Sequence, residues 1–145
     1  MSAPDAAGEA VAARPSRRWW RFLLPIAGMA LDAWSSNRAL SIDLSHGLDK
    51  VVHGAAFGAL AAAWFWAFAP RLRSLWAAAA AGVALTALWG AADELHQKFV
   101  PGRSSDVADF AADLLGALVA AAAVLLLSRA PLVRRLLAPR AARTE

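Results

Sequence analysis

The chain has 145 residues, of which 59% are hydrophobic, and a formal net charge of +4. A soluble protein averages roughly 45–50% apolar residues, and one of this size has too little interior to bury such an excess. Cysteine is absent, which excludes disulfides, thiolate chemistry and cysteine-based zinc sites. We therefore expect a membrane-embedded protein whose basic residues indicate topology and not nucleic-acid binding.

Four apolar segments follow an N-terminal tail that lacks periodicity. They run approximately over 19–34, 51–69, 75–92 and 110–127. A bilayer-spanning helix needs about 20 apolar residues, and backbone groups in lipid must be paired within the segment. The pattern predicts an all-α, polytopic membrane protein, a four-transmembrane-helix bundle. Its predicted divisions are a disordered tail over 1–16, a membrane domain over 17–128 and a basic cytoplasmic tail over 129–145.

The basic residues are distributed unevenly between the two sides of this bundle. Of the 15 Lys and Arg residues, 11 lie in the N-terminal region, the 70–74 loop and the C-terminal tail, and 4 lie in the other two loops. The positive-inside rule then predicts an N-in/C-in arrangement with loops 35–50 and 93–113 outside. A cleaved signal peptide over 1–34 is the alternative, but the long tail before the apolar core and the presence of Asp32 argue against it.

Ionisable side chains are concentrated in 93–113, between two segments with almost no charge. The sets that share a helix face by spacing are Asp49 with His53, Asp93 and Glu94 with Gln97, and Asp106 with Asp109 and Asp113. Gly116 continues the last stripe and leaves room for a neighbouring helix. Because charged groups near hydrocarbon tend to face one another, we predict one shared, outward-facing polar pocket. Its predicted ligand-binding residues are Asp49, His53, Asp93, Glu94, Gln97, Arg103, Asp109 and Asp113.

Each of these groups also has a purely structural interpretation. His53 can pair with Asp49 at the interface, and Asp32, one turn from an outer helix end, can snorkel or bond Ser35 and Ser36. Arg103, on a Pro-Gly turn, can hold the three aspartates of the last stripe in a salt-bridge network. Solvated or loop positions are expected for Lys50, Lys98, Arg38, His46 and His96.

Three chemical functions are open to the pocket. Arg103 with Lys50 and His53 can bind an anionic headgroup or phosphate. His53, His96 and several carboxylates can hold a divalent metal, although no compact spacing of metal ligands is present. Paired carboxylates with a His can perform general acid–base hydrolysis. We assign no catalytic residue, metal or cofactor from the sequence.

Three motifs carry a resemblance to a known family. They are Asp49-Lys50-x-x-His53, Asp93-Glu94-x-x-Gln97-x-Phe99-x-Pro101-x-Arg103 and Asp109-x3-Asp113-x2-Gly116. Together they resemble the VanZ-like family of small membrane proteins, over about 19–128. The chain departs from the family pattern at Asp113, where Asn is often found, and at Ala120, where a second Gly is common. The first departure bears on any role that needs a neutral amide.

The resemblance implies a multi-pass protein of the bacterial plasma (inner) membrane. The family's founder is associated with resistance to teicoplanin, a lipid-tailed glycopeptide antibiotic that acts at the outer membrane face. We therefore expect a cell-envelope protein with an outward-facing site for a lipid-linked or amphipathic ligand. The expected partners are the bilayer and either a lipid-linked envelope precursor or an amphipathic antibiotic, without nucleic acid.

Two alternative functions remain open. One is a membrane-embedded hydrolase acting on a lipid phosphate or ester. The other is a small proton-coupled transporter that uses Asp32 and Asp113. A transporter needs a polar path between the leaflets, whereas the inner halves of the second and third apolar segments contain almost nothing polar apart from the central Thr86.

Overall fold

The computed structural model describes residues 19–37, 47–131 and 133. Within those residues all regular secondary structure is helical and no strand occurs, which confirms the all-α prediction. A 3₁₀ turn, Trp19–Phe22, leads into α1, Leu23–Ser36, and the later helices are α2, Leu48–Phe68, α3, Leu75–Gln97, and α4, Val107–Leu127. The predicted N-terminal tail, most of the C-terminal tail, Arg38 and His46 lie outside the described residues.

Three of the helices are long and apolar enough to cross a membrane. They are α2, α3 and α4, with 21, 23 and 21 residues, within the range of about 17–25 that a bilayer span requires. The first helix, α1, has 14 residues and is shorter than that range on its own. The helices thus occupy the four apolar segments expected from the sequence, and three of them meet the length of a span.

The acidic segment 93–113 is not a loop, which corrects the sequence expectation. Asp93, Glu94 and Gln97 belong to the last turns of α3, and α4 begins at Val107. Asp106 caps α4, because its side chain accepts a hydrogen bond from the Ala108 N–H at 2.8 Å. Only 98–106 connects the two helices. Most of the charged cluster therefore stands on helices, which fix the direction of its side chains.

The helices run antiparallel, and this brings their ends together in two sets. A hydrogen bond from Ser36 to Asp93 joins the end of α1 to the end of α3. The first 3₁₀ turn reaches the end of α2, where Arg21 donates to the Trp66 carbonyl. The polar end is the end of the bundle at which α1 and α3 finish and at which α2 and α4 begin. The opposite end, which carries Arg21, Arg71, Arg73 and Arg129, is the basic end.

Glycines bring α2 and α4 into close contact. A Cβ placed on Gly116 of α4 would overlap the carbonyl of Gly54 on α2, and one on Gly58 would lie 3.0 Å from the Gly116 oxygen. The expectation that Gly116 opens room for a neighbouring helix is therefore confirmed. In lipid, small residues of this kind let helix backbones approach and gain dispersion energy. The contact sets the rotation of α4 so that its aspartates face α2.

Candidate functional site

Lys50 of α2 is the centre of the outermost charge group at the polar end. Its Nζ lies 3.2 Å from an Asp49 oxygen and 2.9 Å from an Asp106 oxygen, and it also pairs with Asp109. The Lys50 side chain keeps contact with water, as expected, since it is 33% exposed, but it is also held by three carboxylates. Lys50 of α2 thus neutralises Asp109 of α4 and Asp106, which caps α4.

Asp106 links this charge group to α3. Its bonds to the Lys50 ammonium and to the Ala108 N–H hold the pKa of the Asp106 carboxyl below its usual value. The backbone N–H of Asp106 also donates to the Glu94 carboxylate at 2.9 Å. Glu94 is buried, and this bond satisfies one of its oxygens. The start of α4 is thus fixed from both neighbouring helices.

A second group, one turn deeper, joins His53 of α2 to Asp113 of α4. The His53 Nδ1 lies 3.2 Å from an Asp113 oxygen, and the Asp113 side chain is only 3% exposed. The His53 ring stacks on Phe57. The expected pairing of His53 with Asp49 is wrong, because Asp49 points to Lys50 while Asp113 faces His53 across the glycine contact.

Gly90 of α3 provides the space for that pair. A Cβ at Gly90 would lie 3.1 Å from a Phe57 ring carbon and 3.4 Å from an Asp113 oxygen. Both of these side chains are in contact with His53, since its ring stacks on Phe57 and its Nδ1 bonds Asp113. The absence of a side chain at this position therefore lets α3 cover the buried carboxylate.

A third group ties α1 to α3. The Asp93 carboxylate accepts from Gln97 at 2.5 Å and from Ser36 at 3.0 Å, with the same oxygen. The predicted sharing of a helix face by Asp93 and Gln97 is confirmed. Asp93 and Gln97 are both buried, so their mutual bond offsets part of the cost of removing them from water.

Asp32 extends the polar cluster into the bundle. Its carboxylate accepts from the Trp89 indole N–H at 2.8 Å, whereas Ser35 bonds the Asp32 backbone carbonyl. Of the two expected partners of Asp32, Ser35 bonds only its backbone carbonyl, and Ser36 bonds Asp93 instead. Trp89 lies about 12 Å from Gln97 along α3, at a rise of about 1.5 Å per residue. An ionisable group at this depth is a functional candidate by position alone.

An apolar groove between α1 and α2 opens beside Asp32. Its volume is about 450 Å³, and its walls include Leu24, Leu31 and Leu60. Asp32 and Ser35 provide the polar groups of its lining. The groove exists because α1 contacts the rest of the bundle much less extensively than α2, α3 and α4 contact one another.

Arg103 does not hold the aspartate stripe, which corrects the salt-bridge interpretation. It ends a type II turn in which its N–H donates to the Val100 carbonyl and Gly102 takes a φ of 80°. Within the described residues Arg103 makes no ion pair, and its buried Nε has no hydrogen-bond partner. Lys50 takes the expected role because it faces Asp106 and Asp109 directly.

Most of the groups expected to bind an anion or a metal have other partners in the structure. Of the three cationic groups expected to bind an anion, Lys50 and His53 already face carboxylates. His96 makes an exposed bond to Asn37, whereas His53 bonds Asp113. In the part of the chain that the structure describes, no group of three or more His and acidic side chains is arranged to hold a metal ion.

Most of the predicted site residues lie in the polar end. They form three separate groups of bonded side chains there. The members that the list of predicted ligand-binding residues did not include are Lys50, Asp106, Ser36, Asp32 and Trp89. Lys50 precedes His53 by one helical turn, so helix spacing alone was a usable signal for it. Trp89 carried no such signal, since its partner lies on another helix. The described polar end holds seven acids and three Lys or Arg residues, a net formal charge of 3 − 7 = −4 with His neutral.

Comparison with known proteins gives one match. The VanZ/LLP1 family model matches residues 9–128, which include α1 to α4 and the described part of the polar end. No curated protein sequence and no solved structure matches the chain. Since the matched region covers most of the sequence and contains every contact described above, the chain belongs to the VanZ/LLP1 family of membrane-type helical proteins.

Proposed function

We propose that this protein is a multi-pass plasma-membrane protein of the bacterial envelope that holds a lipid-linked or amphipathic molecule at its outer face. The polar part of that molecule lies in the acidic polar end, and its apolar tail lies in the groove between α1 and α2. The observation that carries the proposal is the position of Asp32, on the wall of an apolar groove and next to the polar cluster.

The dimensions of the groove support an apolar tail as its occupant. Its lining runs along α1 from Leu24 to Ser35, which corresponds to about 16 Å of helix axis. That is close to half of the roughly 30 Å hydrocarbon thickness of a bilayer. A chain in the groove therefore extends through about one leaflet, as it does in the surrounding lipid.

The charge balance of the polar end supports a head with hydrogen-bond donors. Acids outnumber Lys and Arg there, and the Lys50 and His53 nitrogens already face carboxylates. Asp32 bonds Trp89 through one oxygen, which leaves the other as an acceptor beside the groove. An ammonium, amide or hydroxyl group at the junction of head and tail matches this acceptor better than a phosphate does.

The length of the first helical segment supports a four-span topology. The 3₁₀ turn and α1 together cover Trp19–Ser36, and at rises of about 2.0 and 1.5 Å per residue they extend roughly 29 Å. That length matches the hydrocarbon layer. With four arginines at the basic end of the described chain, the positive-inside rule then favours both termini inside and the polar end outside.

Binding to the purified full-length protein in lipid nanodiscs tests the proposal. The probe is a fluorescent alkyl-ammonium compound, compared with an alkyl sulfate that has the same chain. We expect tighter binding of the ammonium probe and a loss of about tenfold in Asp32→Asn, the effect of one charge-assisted hydrogen bond. Asp49→Asn makes the same charge change in the polar end but outside the groove, so it measures the general contribution of the acidic charge, which should be smaller than the loss in Asp32→Asn.

Filling the groove provides a second arm of the experiment. Ala59 is exposed on α2 and lines the groove, so Ala59→Trp should block the tail without disturbing the core. Ala91→Trp places the same side chain on an exposed position of α3 outside the groove. Equal binding by Ala59→Trp, Ala91→Trp and the parent protein would contradict the proposal.

The His53–Asp113 pair supports a second candidate, a hydrolase acting on a membrane-lipid ester or phosphate. Asp113 holds the His53 Nδ1 at 3.2 Å, which leaves Nε2 directed elsewhere as a general base. The discriminating test is mass spectrometry of extracted envelope lipids after incubation with the protein. Products that disappear in His53→Gln would support an enzyme, and intact lipids with retained probe binding would support a binding protein.

A further inference from the structure

A second and larger groove lies on the opposite half of the bundle, between the first half of α3 and the second half of α4. Its volume is about 950 Å³. The walls are apolar and include Val83, Leu118 and Leu125, while Trp76 and Arg129 stand where it meets the basic end. It shares no lining residue with the groove beside Asp32.

The charges around this groove have one sign. Among the described residues the basic end carries four arginines and no acid. Arg21 lies over the Trp66 ring, and Arg71 lies over Phe22 while bonding the Ala67 carbonyl. Arg129, by contrast, is exposed at the mouth of the groove and makes no ion pair within the described part of the chain.

We propose that this groove is a binding site for an acidic phospholipid, with an acyl chain between α3 and α4 and the phosphate on Arg129. The planar guanidinium suits a phosphate because it donates two parallel hydrogen bonds. Trp76, which is 71% exposed, has the side chain that is enriched at the headgroup level of bilayers. Ser128 does not compete for the phosphate, since its hydroxyl donates to the Leu125 carbonyl.

The same charges argue against a second copy of the chain as the occupant. A two-fold dimer through this groove buries the same patch from each subunit. With parallel subunits in one membrane, Arg129 of one copy would approach Arg129 of the other, and their repulsion opposes the contact. An acidic lipid instead neutralises the charge, and acidic headgroups are attracted to basic residues at a membrane surface.

Lipid enrichment around the full-length protein tests this site. The protein is reconstituted in nanodiscs that contain equal amounts of phosphatidylglycerol and phosphatidylcholine with identical chains. It is then extracted in mild detergent, and the retained lipids are counted by native mass spectrometry. We expect phosphatidylglycerol to be enriched about fivefold, the factor that one Arg near an acidic surface contributes.

Two substitutions separate this site from general surface charge. Arg129→Gln should bring the retained lipids close to equal amounts, whereas Arg73→Gln, the same change on the exposed loop before α3, should keep the enrichment. Ala80→Trp fills the groove from an exposed position of its wall and should lower retention of both lipids.

Three results would overturn the proposal. They are equal amounts of the two lipids on the parent protein, equal losses in Arg129→Gln and Arg73→Gln, and undiminished retention in Ala80→Trp. The test does not involve the polar end, so it stands or fails separately from amphipath binding there.

Discussion

His53 Nδ1 on α2 and Asp113 Oδ1 on α4 lie 3.2 Å apart, and Asp113 is almost completely buried. The contact forms where glycines let the two helix backbones meet, one turn inside the polar end. It is therefore both a helix contact and the innermost link between α2 and α4 in the acidic cluster. Its two partners come from segments 60 residues apart.

Removal of His53 should destabilise the bundle more than removal of both partners. His53→Ala leaves the Asp113 carboxylate buried without its partner, and an unsatisfied buried polar group costs about 1–3 kcal/mol. His53→Ala combined with Asp113→Ala removes that penalty. Unfolding in mixed detergent micelles gives the free energies for a double-mutant cycle. Additive losses would show that the two side chains do not interact.

Gly116→Ala should be among the most disruptive small substitutions in this protein. The added Cβ overlaps the backbone carbonyl of Gly54, and neither helix can relieve the overlap with a side-chain rotation. Overpacking of this kind costs about 1–3 kcal/mol, or more where backbone must move. Ala123→Leu, a larger change on an exposed face of α4, is the control and should have little effect on thermal unfolding. Similar melting temperatures for Gly116→Ala and the parent protein would contradict the close helix contact.

Acidification should loosen the start of α4. The folded state lowers the pKa of Asp106 through Lys50 and the Ala108 N–H, so the stabilisation is present above the unfolded pKa of about 3.9. It is lost as the pH falls through the lower folded value. The protection factors of the 108–110 amides, which compare measured exchange with the intrinsic rate at each pH, should therefore fall below about pH 4 in the parent protein.

Substitutions at Asp106 separate the two interactions of its carboxylate. Asp106→Asn retains an oxygen that can cap α4 but loses the charge that pairs with Lys50. Asp106→Ala loses both. We expect the protection factors at 108–110 to be lowest in Asp106→Ala and intermediate in Asp106→Asn, and their fall near pH 4 should be absent in both variants. An unchanged acid response in Asp106→Asn would assign the effect to another carboxyl group.

The proposed topology can be tested by labelling, because the chain has no native cysteine. Ser104 is exposed in the 98–106 connection and Leu72 is exposed in the loop before α3. In intact cells an impermeant maleimide should label Ser104→Cys at once and Leu72→Cys only after permeabilisation. The reverse pattern would place the polar end in the cytoplasm.

The helices were predictable from the sequence, whereas their contacts were not. Apolar segments and the glycine at 116 gave the helices and one close approach, because these signals are local. Helix spacing correctly paired Asp93 with Gln97, which lie on the same helix. It did not predict the contacts of His53 with Asp113 of α4, or those of Lys50 with Asp109 of α4 and with Asp106, which caps α4. Which face of α4 meets α2 depends on how glycine backbones from both helices fit together, and no single segment contains that information.

Arg103 illustrates a second limit of sequence reasoning. Its spacing from the aspartates favoured a salt bridge, but it ends the Pro101–Gly102 turn, and Lys50 already occupies the space between Asp106 and Asp109. Competition between two cations for the same acids is decided by geometry. The preference for a donor-bearing ligand followed only once the geometry showed that Lys50 and His53 already face carboxylates.

Photo-crosslinking tests the central claim most directly. An alkyl-ammonium probe with a diazirine in its tail is irradiated with the full-length protein in nanodiscs, and the adducts are located by peptide mass spectrometry. The account predicts adducts on the facing parts of α1 and α2, around Leu31 and Leu60, that are suppressed by excess unlabelled amine and by Ala59→Trp. Adducts that spread evenly over the lipid-facing helices, and that neither excess amine nor Ala59→Trp suppresses, would contradict a binding groove that ends at Asp32.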